Sequence, residues 1–317
     1  MKSFTVGKND EGQRLDKFLS KAIPNLPKSL MYKYIRTKKI KLNGKKADIS
    51  TRLVAGDIIE AYMKDEFFAQ SPKLDFTHAP TDISVVYEDE NIILVDKEPG
   101  LLCHSDKSEQ VDTLINRIQH YLYTKGEYNP AQETSFRPAL ANRIDRNTGG
   151  IVIAAKNAAA LRILCEKIRG REIRKWYLAA VHGIPENTQD TLKGFLQKNA
   201  QKNKVFLQSR KTDENKDILT RYRLIKTKNN ISLIEVELIT GRPHQIRAHM
   251  ASIGHPLLGD QKYGKGSDGT KLDLKYQALY SYRLKFGFNS DAGILSYLNG
   301  KSFQVKEVWF AKQLFGF

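Results

Sequence analysis

A segment without clean periodicity, residues 66–82, divides the 317-residue chain into a small N-terminal unit and a larger body. The segment contains Pro72 and Pro80, and proline interrupts helices and inner strands. The chain is also longer than the ~100–200 residues of a typical domain. We therefore predict a domain over residues 1–65, a linker over 66–82 and a second domain over 83–317.

The N-terminal unit shows two helical patterns followed by a turn. Apolar residues at helical spacing predict the first helix, namely Leu15, Phe18, Leu19 and Ala22. Ser29 is expected to cap a second helix. Asn43-Gly44 follows the alternating Ile40-Lys41-Leu42 and is typical of a tight hairpin turn. These signals predict a small helix–helix–hairpin domain.

The body mixes strand and helix signals. Strands are predicted at 84–87, 92–96, 151–155, 176–181, 219–225 and 232–239, and helices at 111–122, 158–168 and 243–253. Asn157 is expected to cap the second of these helices. Many connections are turns rather than crossover helices, as at Asn229-Asn230. We therefore predict an α+β fold with a mixed, largely antiparallel central sheet and flanking helices.

The charge of the chain indicates the kind of partner. There are 52 Lys and Arg against 35 Asp and Glu, a formal net charge of +17. Eight basic residues between Pro27 and Lys46 have no acidic residue among them: Lys28, Lys33, Arg36, Lys38, Lys39, Lys41, Lys45 and Lys46. A solvated surface is the plainer interpretation of a charged run. Because this run lacks counter-charge, we favour contact with nucleic acid.

The cysteines and the lengths of the apolar runs indicate the cellular compartment of the protein. Cys103 and Cys165 form neither a CxxC motif nor a disulfide framework, which suits a reducing cytosol. Charge occurs too early in the chain for a signal-peptide core, and apolar runs fall far short of the ~20 residues that cross a bilayer. We therefore expect a cytoplasmic protein with no membrane partner.

Residues 142–150 contain the strongest candidate for catalysis. Asp145 lies between Arg143 and Arg146, and neighbouring cations favour the ionised form of a carboxylate. Gly149-Gly150 permits a sharp turn or the close approach of a ligand. On residue types alone, a surface cluster of Arg, Asp and Arg is the plainer interpretation.

Two further segments carry candidate residues. Pro243 fits the first turn of a helix, and Arg247 lies beside the apolar face of that helix, pointing inward or snorkelling to solvent. Tyr177 lies in a predicted strand, where a core tyrosine is the plainer interpretation. His244 and His249 are five residues apart and face different ways on a helix or a strand, so we predict no metal site.

Taken together, these motifs resemble those of the RluA-type pseudouridine synthases. They read Asn-Arg-Ile-Asp-x-x-Thr-Gly-Gly, Arg-Lys-x-Tyr-x-Ala-x-Val-x-Gly, Gly-Arg-Pro-His-Gln-Ile-Arg-x-His and, from residue 254, Gly-His-Pro-Leu-Leu-Gly-Asp-x-x-Tyr-Gly. Their order and spacing agree with the family across residues 85–264, and the N-terminal unit resembles the alpha-L RNA-binding module. The chain has Asn-Arg-Ile-Asp where the family usually has His-Arg-Leu-Asp, and Gly149-Gly150 where Ser-Gly is more usual.

The resemblance implies an enzyme that isomerises uridine to pseudouridine in RNA without a cofactor or a metal. Asp145 would be the essential carboxylate, and Arg247 would pair with it. Tyr177 would stack on the target base, and Arg143 would fill the gap that the flipped base leaves. Three paths stay open for Asp145: attack on the anomeric carbon, attack on the uracil ring, or abstraction of a sugar proton.

The resemblance is less specific about the RNA. This combination of module and catalytic type is similar to enzymes that act on large-subunit ribosomal RNA, although relatives modify transfer RNA. We expect RNA as the partner, ribosomal RNA by preference, and a monomeric protein. A non-catalytic RNA-binding ribosome-assembly factor and a nuclease are the alternatives, and a nuclease would normally need clustered carboxylates to hold metal.

Overall fold

A computed structural model describes residues 1–68, 76–199, 204–208, 210–264 and 274–317. Within these ranges the strands form two separate sheets, one of three strands near the N-terminus and one of eleven strands in the body. The middle of the predicted linker, including Pro72, lies outside the described residues. The limits predicted at residues 65 and 83 stay a prediction. No helix in the described ranges has the length and apolar character needed to cross a membrane.

The N-terminal unit combines two helices with a three-stranded sheet. Its helices are α1 (Leu15–Ala22) and α2 (Lys28–Arg36). Its strands are β1 (Lys2–Thr5), β2 (Ile40–Leu42) and β3 (Ile58–Ala61), arranged with β3 in the middle and antiparallel to both neighbours. Side chains from both helices and from the sheet form one apolar core.

Two local predictions for this unit had different outcomes. The prediction that Ser29 caps α2 was wrong: the helix begins at Lys28, two residues earlier than a Ser29 cap implies. It follows Pro27, whose carbonyl accepts a hydrogen bond from the amide of Met31 at 2.9 Å. Asn43 and Gly44 have φ of 50° and 72°, as a tight turn requires. The sheet partner of β2 is nevertheless β3, which comes later in the chain.

The body is built on the large sheet. Its strands are β4 (Ser84–Glu88), β5 (Ile92–Lys97), β6 (Ala139–Leu140), β7 (Gly149–Ala155), β8 (Ile173–His182), β9 (Gln189–Asn199), β10 (Lys204–Gln208), β11 (Lys216–Lys228), β12 (Ile231–Leu238), β13 (Leu279–Phe286) and β14 (Ser302–Gln304). Its helices are α3 (Leu114–Thr124), α4 (Ala158–Arg169) and α5 (Gln245–Ser252).

The pairing of these strands confirms the predicted mixed, largely antiparallel sheet. The main order is β10-β9-β11-β12-β8-β13-β7-β5-β4, with β14 beside β13 and β6 beside β7. Among the described strands, β7 and β13 form the one parallel pair. Asn229 and Asn230, with φ of 49° and 58°, make the turn that joins β11 to β12. Asn157 caps α4, as predicted, by accepting from the amide of Ala160 at 2.8 Å.

Packing on the two sides of β8 positions the loop between β6 and β7. Successive side chains of a strand face opposite sides of the sheet. Trp176 joins the main core, whereas Tyr177 packs with Ile246 of α5 in a second cluster. Ile144 contacts both this second cluster and a third one that includes α3. The loop that carries Asp145 is therefore held at the seam between two apolar clusters.

The N-terminal unit contacts the body through polar groups. The Asn9 side-chain amide donates to the Glu133 carboxylate at 2.6 Å. Arg162, on α4, donates to the main-chain carbonyl of Glu11 at 2.7 Å. Both partners on the N-terminal side lie between β1 and α1. These bonds place the segment between β1 and α1 beside the body, with Glu11 against α4.

The consecutive glycines at the start of β7 serve the fold. Gly149 and Gly150 pair with Tyr280 and Ser281 of β13, and Gly150 has a φ of 111°. A Cβ on Gly149 would overlap the Tyr280 ring, and one on Gly150 would overlap the Ser281 backbone, both at less than 3.0 Å. The close approach that this pair permits is therefore made by the protein's own strand β13.

We expect Gly150→Ala to destabilise the protein by about 3 kcal/mol, because it adds a steric overlap to an unfavourable φ. Gly44→Ala is the matched control, since its φ is 72° and nothing lies within 4 Å of the added Cβ. The control should lose only about 1 kcal/mol. Urea unfolding measures both changes, and equal losses would show that Ser281 does not constrain this position.

Candidate active site

A cleft of about 1210 Å³ opens in the body and includes the 141–148 loop, the first half of β8 and the start of α5. Among the residues that the structure describes, nine basic ones line it: Arg143, Arg146, Arg169, Arg171, Lys175, Arg242, Arg247, Lys262 and Lys275. The acidic residues in this described lining are Asp106 and Asp145. A concave surface with such an excess of cations suits a polyanionic ligand.

Asp145 belongs to this largely basic lining. Its side chain is 26% exposed, and its Oδ2 atom accepts a hydrogen bond from Nη1 of Arg247 at 3.0 Å. The main-chain carbonyl of Asp145 accepts from the amide of Thr148 at 3.1 Å, which closes a turn. The carboxylate is thus accessible from the cleft while its backbone is fixed.

Arg247 points inward from α5, so the snorkelling interpretation was wrong. Its side chain is 9% exposed. Nε and Nη2 donate to the two oxygens of Asp260 at 2.7 and 2.8 Å, and Nη1 is left for Asp145. Burial opposes the charge on Arg247, but the hydrogen bonds and charge of Asp260 outweigh it and raise the pKa of the guanidinium. Arg247 is a permanent cation beside Asp145.

Asp260 completes this arrangement, and sequence reasoning gave it no role. Its carboxylate also accepts from the amides of Lys262 and Tyr263 at 2.9 and 3.1 Å. Four donors therefore hold one buried anion, which orients the Arg247 guanidinium. The Gly-Asp-x-x-Tyr-Gly motif contains Asp260 and was the available signal. Its partner Arg247, however, is 13 residues away on α5, and the sequence did not specify which side of that helix faces Asp260.

Tyr177 lies in the wall of the same cleft and is 5% exposed. Burial raises its pKa to about 12, and a hydrogen bond with Ser281 opposes that shift only in part. The side chain is therefore a neutral phenol at pH 7 that forms part of the cleft wall. Its stacking role stays a prediction.

Lys97 lies behind the 141–148 loop, and sequence reasoning missed it. Its ammonium donates to the main-chain carbonyls of Glu98, Leu101 and Arg146 at 2.8, 2.8 and 3.0 Å. Burial lowers its pKa to about 8, against the smaller opposing influence of nearby acidic groups. One buried cation thus joins the end of β5 to the residue that follows Asp145.

The remaining predicted residues lie at the cleft rim or outside the cleft. Arg143 is exposed and lines the rim. Lys175, which was not predicted, lines the cleft near Tyr177, and burial lowers its pKa. The eight basic residues of 28–46 belong to the N-terminal unit, where all but Lys41 are exposed. The structure therefore brings Asp145, Tyr177, Arg247 and Arg143 together and leaves the basic run as a separate surface.

Comparison with known proteins identifies the family. Residues 91–252 match the model described as RNA pseudouridylate synthase, and residues 13–59 match the S4 domain. The chain therefore belongs to the RNA pseudouridylate synthase family. It is an RNA pseudouridine synthase, an isomerase, with an N-terminal S4 domain. The nuclease and the non-catalytic assembly factor are no longer candidates.

Individual relatives agree with this assignment. An uncharacterized RNA pseudouridine synthase of Mycoplasma pneumoniae is 34% identical over 293 residues, 89% of this chain and 87% of that protein. The ribosomal large subunit pseudouridine synthase C of Rickettsia bellii is 32% identical over 305 residues, 90% of this chain and 96% of that protein. The solved structure of human RNA pseudouridylate synthase domain containing 4 has the same fold, with a TM-score of 0.57 at 18% identity, covering 73% of this chain and 91% of that one.

Replacing Asp260 by Asn should cost about 3 kcal/mol, because it leaves the buried Arg247 without its main counter-ion. Burial opposes ionisation of Asp260, but the bonds from Arg247 and the backbone outweigh it and lower the pKa below 3.8. A carboxylate with a lowered pKa stabilises the fold above its unfolded pKa, and this contribution is lost as the pH falls through the folded value.

Urea unfolding between pH 7 and pH 3 tests this expectation. The parent protein should lose stability below about pH 4 more steeply than the Asp260→Asn variant. Asp213→Asn, at an exposed position, serves as the control and should follow the parent curve. Parallel curves for the parent and Asp260→Asn would contradict the assigned role of this carboxylate.

Proposed function

We propose that Asp145 is the catalytic carboxylate of this isomerase and that its substrate is large-subunit ribosomal RNA. The observation that carries the first part is the pairing of Asp145 with an anchored Arg247, 3.0 Å away, inside a cleft whose described lining includes nine basic residues. The name of the Rickettsia bellii relative supports the second part.

The reaction requires a separate role from each of three cleft residues, Asp145, Tyr177 and Arg143. A base inside a helical stack is inaccessible, so the target uridine must be flipped into the cleft. Asp145 then reacts with the sugar or with the uracil ring, since a carboxylate can form and leave an ester. Tyr177 supplies the ring against which the base stacks. Arg143, at the rim, fills the space that the base has left.

The affinity of the protein for RNA comes largely from contacts between its basic side chains and the RNA phosphates. Phosphate contacts position RNA without reading its sequence, and they make binding sensitive to salt. The cleft cations and the exposed lysines of the S4 domain supply two such surfaces. In the described ranges, none of the eight basic residues of 28–46 forms an ion pair within the protein, so their charges stay available to RNA. A monomeric state and a cytoplasmic location remain predictions.

Asp145→Asn should abolish isomerisation, because an amide is neither a base nor a nucleophile of comparable strength. RNA affinity should change little, since phosphate contacts provide it. The assay measures pseudouridine formed in a bound transcript, and Asp213→Asn, an exposed site, is the control. Measurable turnover by Asp145→Asn would remove the carboxylate from its proposed role.

The RNA class has its own test. Pseudouridines are mapped in total RNA from cells with and without this protein. Sites in large-subunit ribosomal RNA should disappear when the protein is missing and return when it is restored. Loss confined to transfer RNA would reject the proposed substrate and leave the proposed role of Asp145 intact.

If the basic run of the S4 domain contacts RNA, it should contribute to the salt dependence of RNA affinity. Changing Lys38, Lys39, Lys45 and Lys46 to Gln should reduce the slope of log affinity against log salt by up to about 2.8, because each contact with single-stranded RNA contributes about 0.7. A control variant changes four exposed lysines of the body, Lys285, Lys301, Lys306 and Lys312, so both proteins have the same net charge. Equal slopes for the two variants would count against RNA contact by this run.

A further inference from the structure

His244 occupies a strained position at the edge of the cleft. Its backbone is left-handed, with φ of 53° and ψ of 17°, and the predicted helix over 243–253 therefore begins only at Gln245. Non-glycine residues adopt this conformation at a cost in free energy, and they keep it only where their surroundings fix it. The conformation brings Nε2 within 3.9 Å of Oδ2 of Asp145 and Nδ1 within 3.0 Å of the Tyr263 hydroxyl.

The surroundings of His244 keep the ring neutral. Burial lowers its pKa; the charge of Asp145 opposes this shift, and the charges of Arg247 and Lys262 add to it. At pH 7 the imidazole therefore carries one hydrogen, on either Nδ1 or Nε2.

The neighbouring groups determine which nitrogen carries this hydrogen. A carboxylate faces Nε2, and an anion favours an N–H over a lone pair directed at it. Nδ1 is then the acceptor, and the Tyr263 hydroxyl donates to it. Tyr263 is suited to this role because its oxygen accepts from the main-chain amide of Val205 at 2.9 Å, which orients the hydroxyl.

We propose that His244 is a positioning residue for the isomerase reaction, and that its Nε2–H is directed at Oδ2 of Asp145. This inference rests on the proposed role of Asp145. Arg247 donates to the same oxygen at 3.0 Å. The distance of 3.9 Å from His244 is longer than a hydrogen bond, and catalytic hydrogen bonds commonly shorten when substrate binds.

The surroundings of the Asp145 carboxylate are asymmetric. Oδ2 accepts from Arg247 and faces Nε2 of His244, whereas no donor from the described residues bonds to Oδ1. An oxygen without hydrogen-bond donors keeps more of its basicity and nucleophilicity. Oδ1 is therefore the atom that reacts with the nucleotide, and His244 and Arg247 fix its direction.

Two variants of His244 distinguish the effect of losing the N–H donor from the effect of changing the side-chain volume. Gln extends an amide N–H toward the position of Nε2, whereas Leu has similar size and no donor, and both face the same backbone constraint. His244→Leu should lower the single-turnover rate at saturating RNA by about tenfold to a hundredfold, the effect of losing a hydrogen bond to a charged group. His244→Gln should stay within about threefold of the parent. Neither variant should change RNA affinity, and His78→Leu, at an exposed site, is the control.

The tautomer provides a readout that a purely structural role would not affect. In the full-length protein labelled with ¹⁵N-histidine, the NMR signals of His244 should show hydrogen on Nε2 and a bare Nδ1. Hydrogen on Nδ1, or a parent-like rate for His244→Leu, would overturn the inference. If His244→Leu does not fold, the tautomer and the His244→Gln rate decide the question.

Failure of the inference is distinguishable from failure of the proposed function. An inactive Asp145→Asn together with a fully active His244→Leu would reject only the role of His244. Turnover by Asp145→Asn would reject the proposed catalytic carboxylate and, with it, the positioning of that carboxylate by His244.

Discussion

The buried ion pair between Arg247 and Asp260 is the interaction on which the site depends. Separating two buried charges is costly, so the pair holds its geometry once the fold has formed. Two parallel hydrogen bonds fix the plane of the guanidinium and leave Nη1 in one direction, toward Asp145. A lysine at this position could not do the same, because a single ammonium has no plane to fix.

The surrounding fold delivers the three groups to one point from distant parts of the chain. Asp145 comes from the loop between β6 and β7, Arg247 from α5, and Asp260 from the turn that follows. The first of these is held by Ile144 at the seam of two apolar clusters and by Lys97, which bonds to the carbonyl of Arg146. The polar geometry of the cleft is therefore set by packing beneath it.

Sequence reasoning could predict what local patterns encode. The six predicted strands of the body, the turn at Asn229-Asn230 and the cap at Asn157 were all confirmed, because each depends on neighbouring residues. Asp260 and Lys97 could not be assigned in this way, since their partners come from other elements and depend on the tertiary fold. The predicted start of α5 at residue 243 was also wrong, because His244 is left-handed and the helix begins only after it. That conformation is locally unfavourable, and only tertiary contacts hold it there.

Different cations of this protein serve RNA binding and the chemistry at Asp145. Most cleft cations face solvent and can bind phosphates, an interaction that salt weakens. Arg247 is buried and already paired with Asp260, so it contributes little to phosphate binding and acts instead on one carboxylate. Buried pairs are screened far less than exposed charges. Rising salt should therefore weaken the capture of RNA before it disturbs the geometry of Asp145, because the two functions rely on cations with different exposure to solvent.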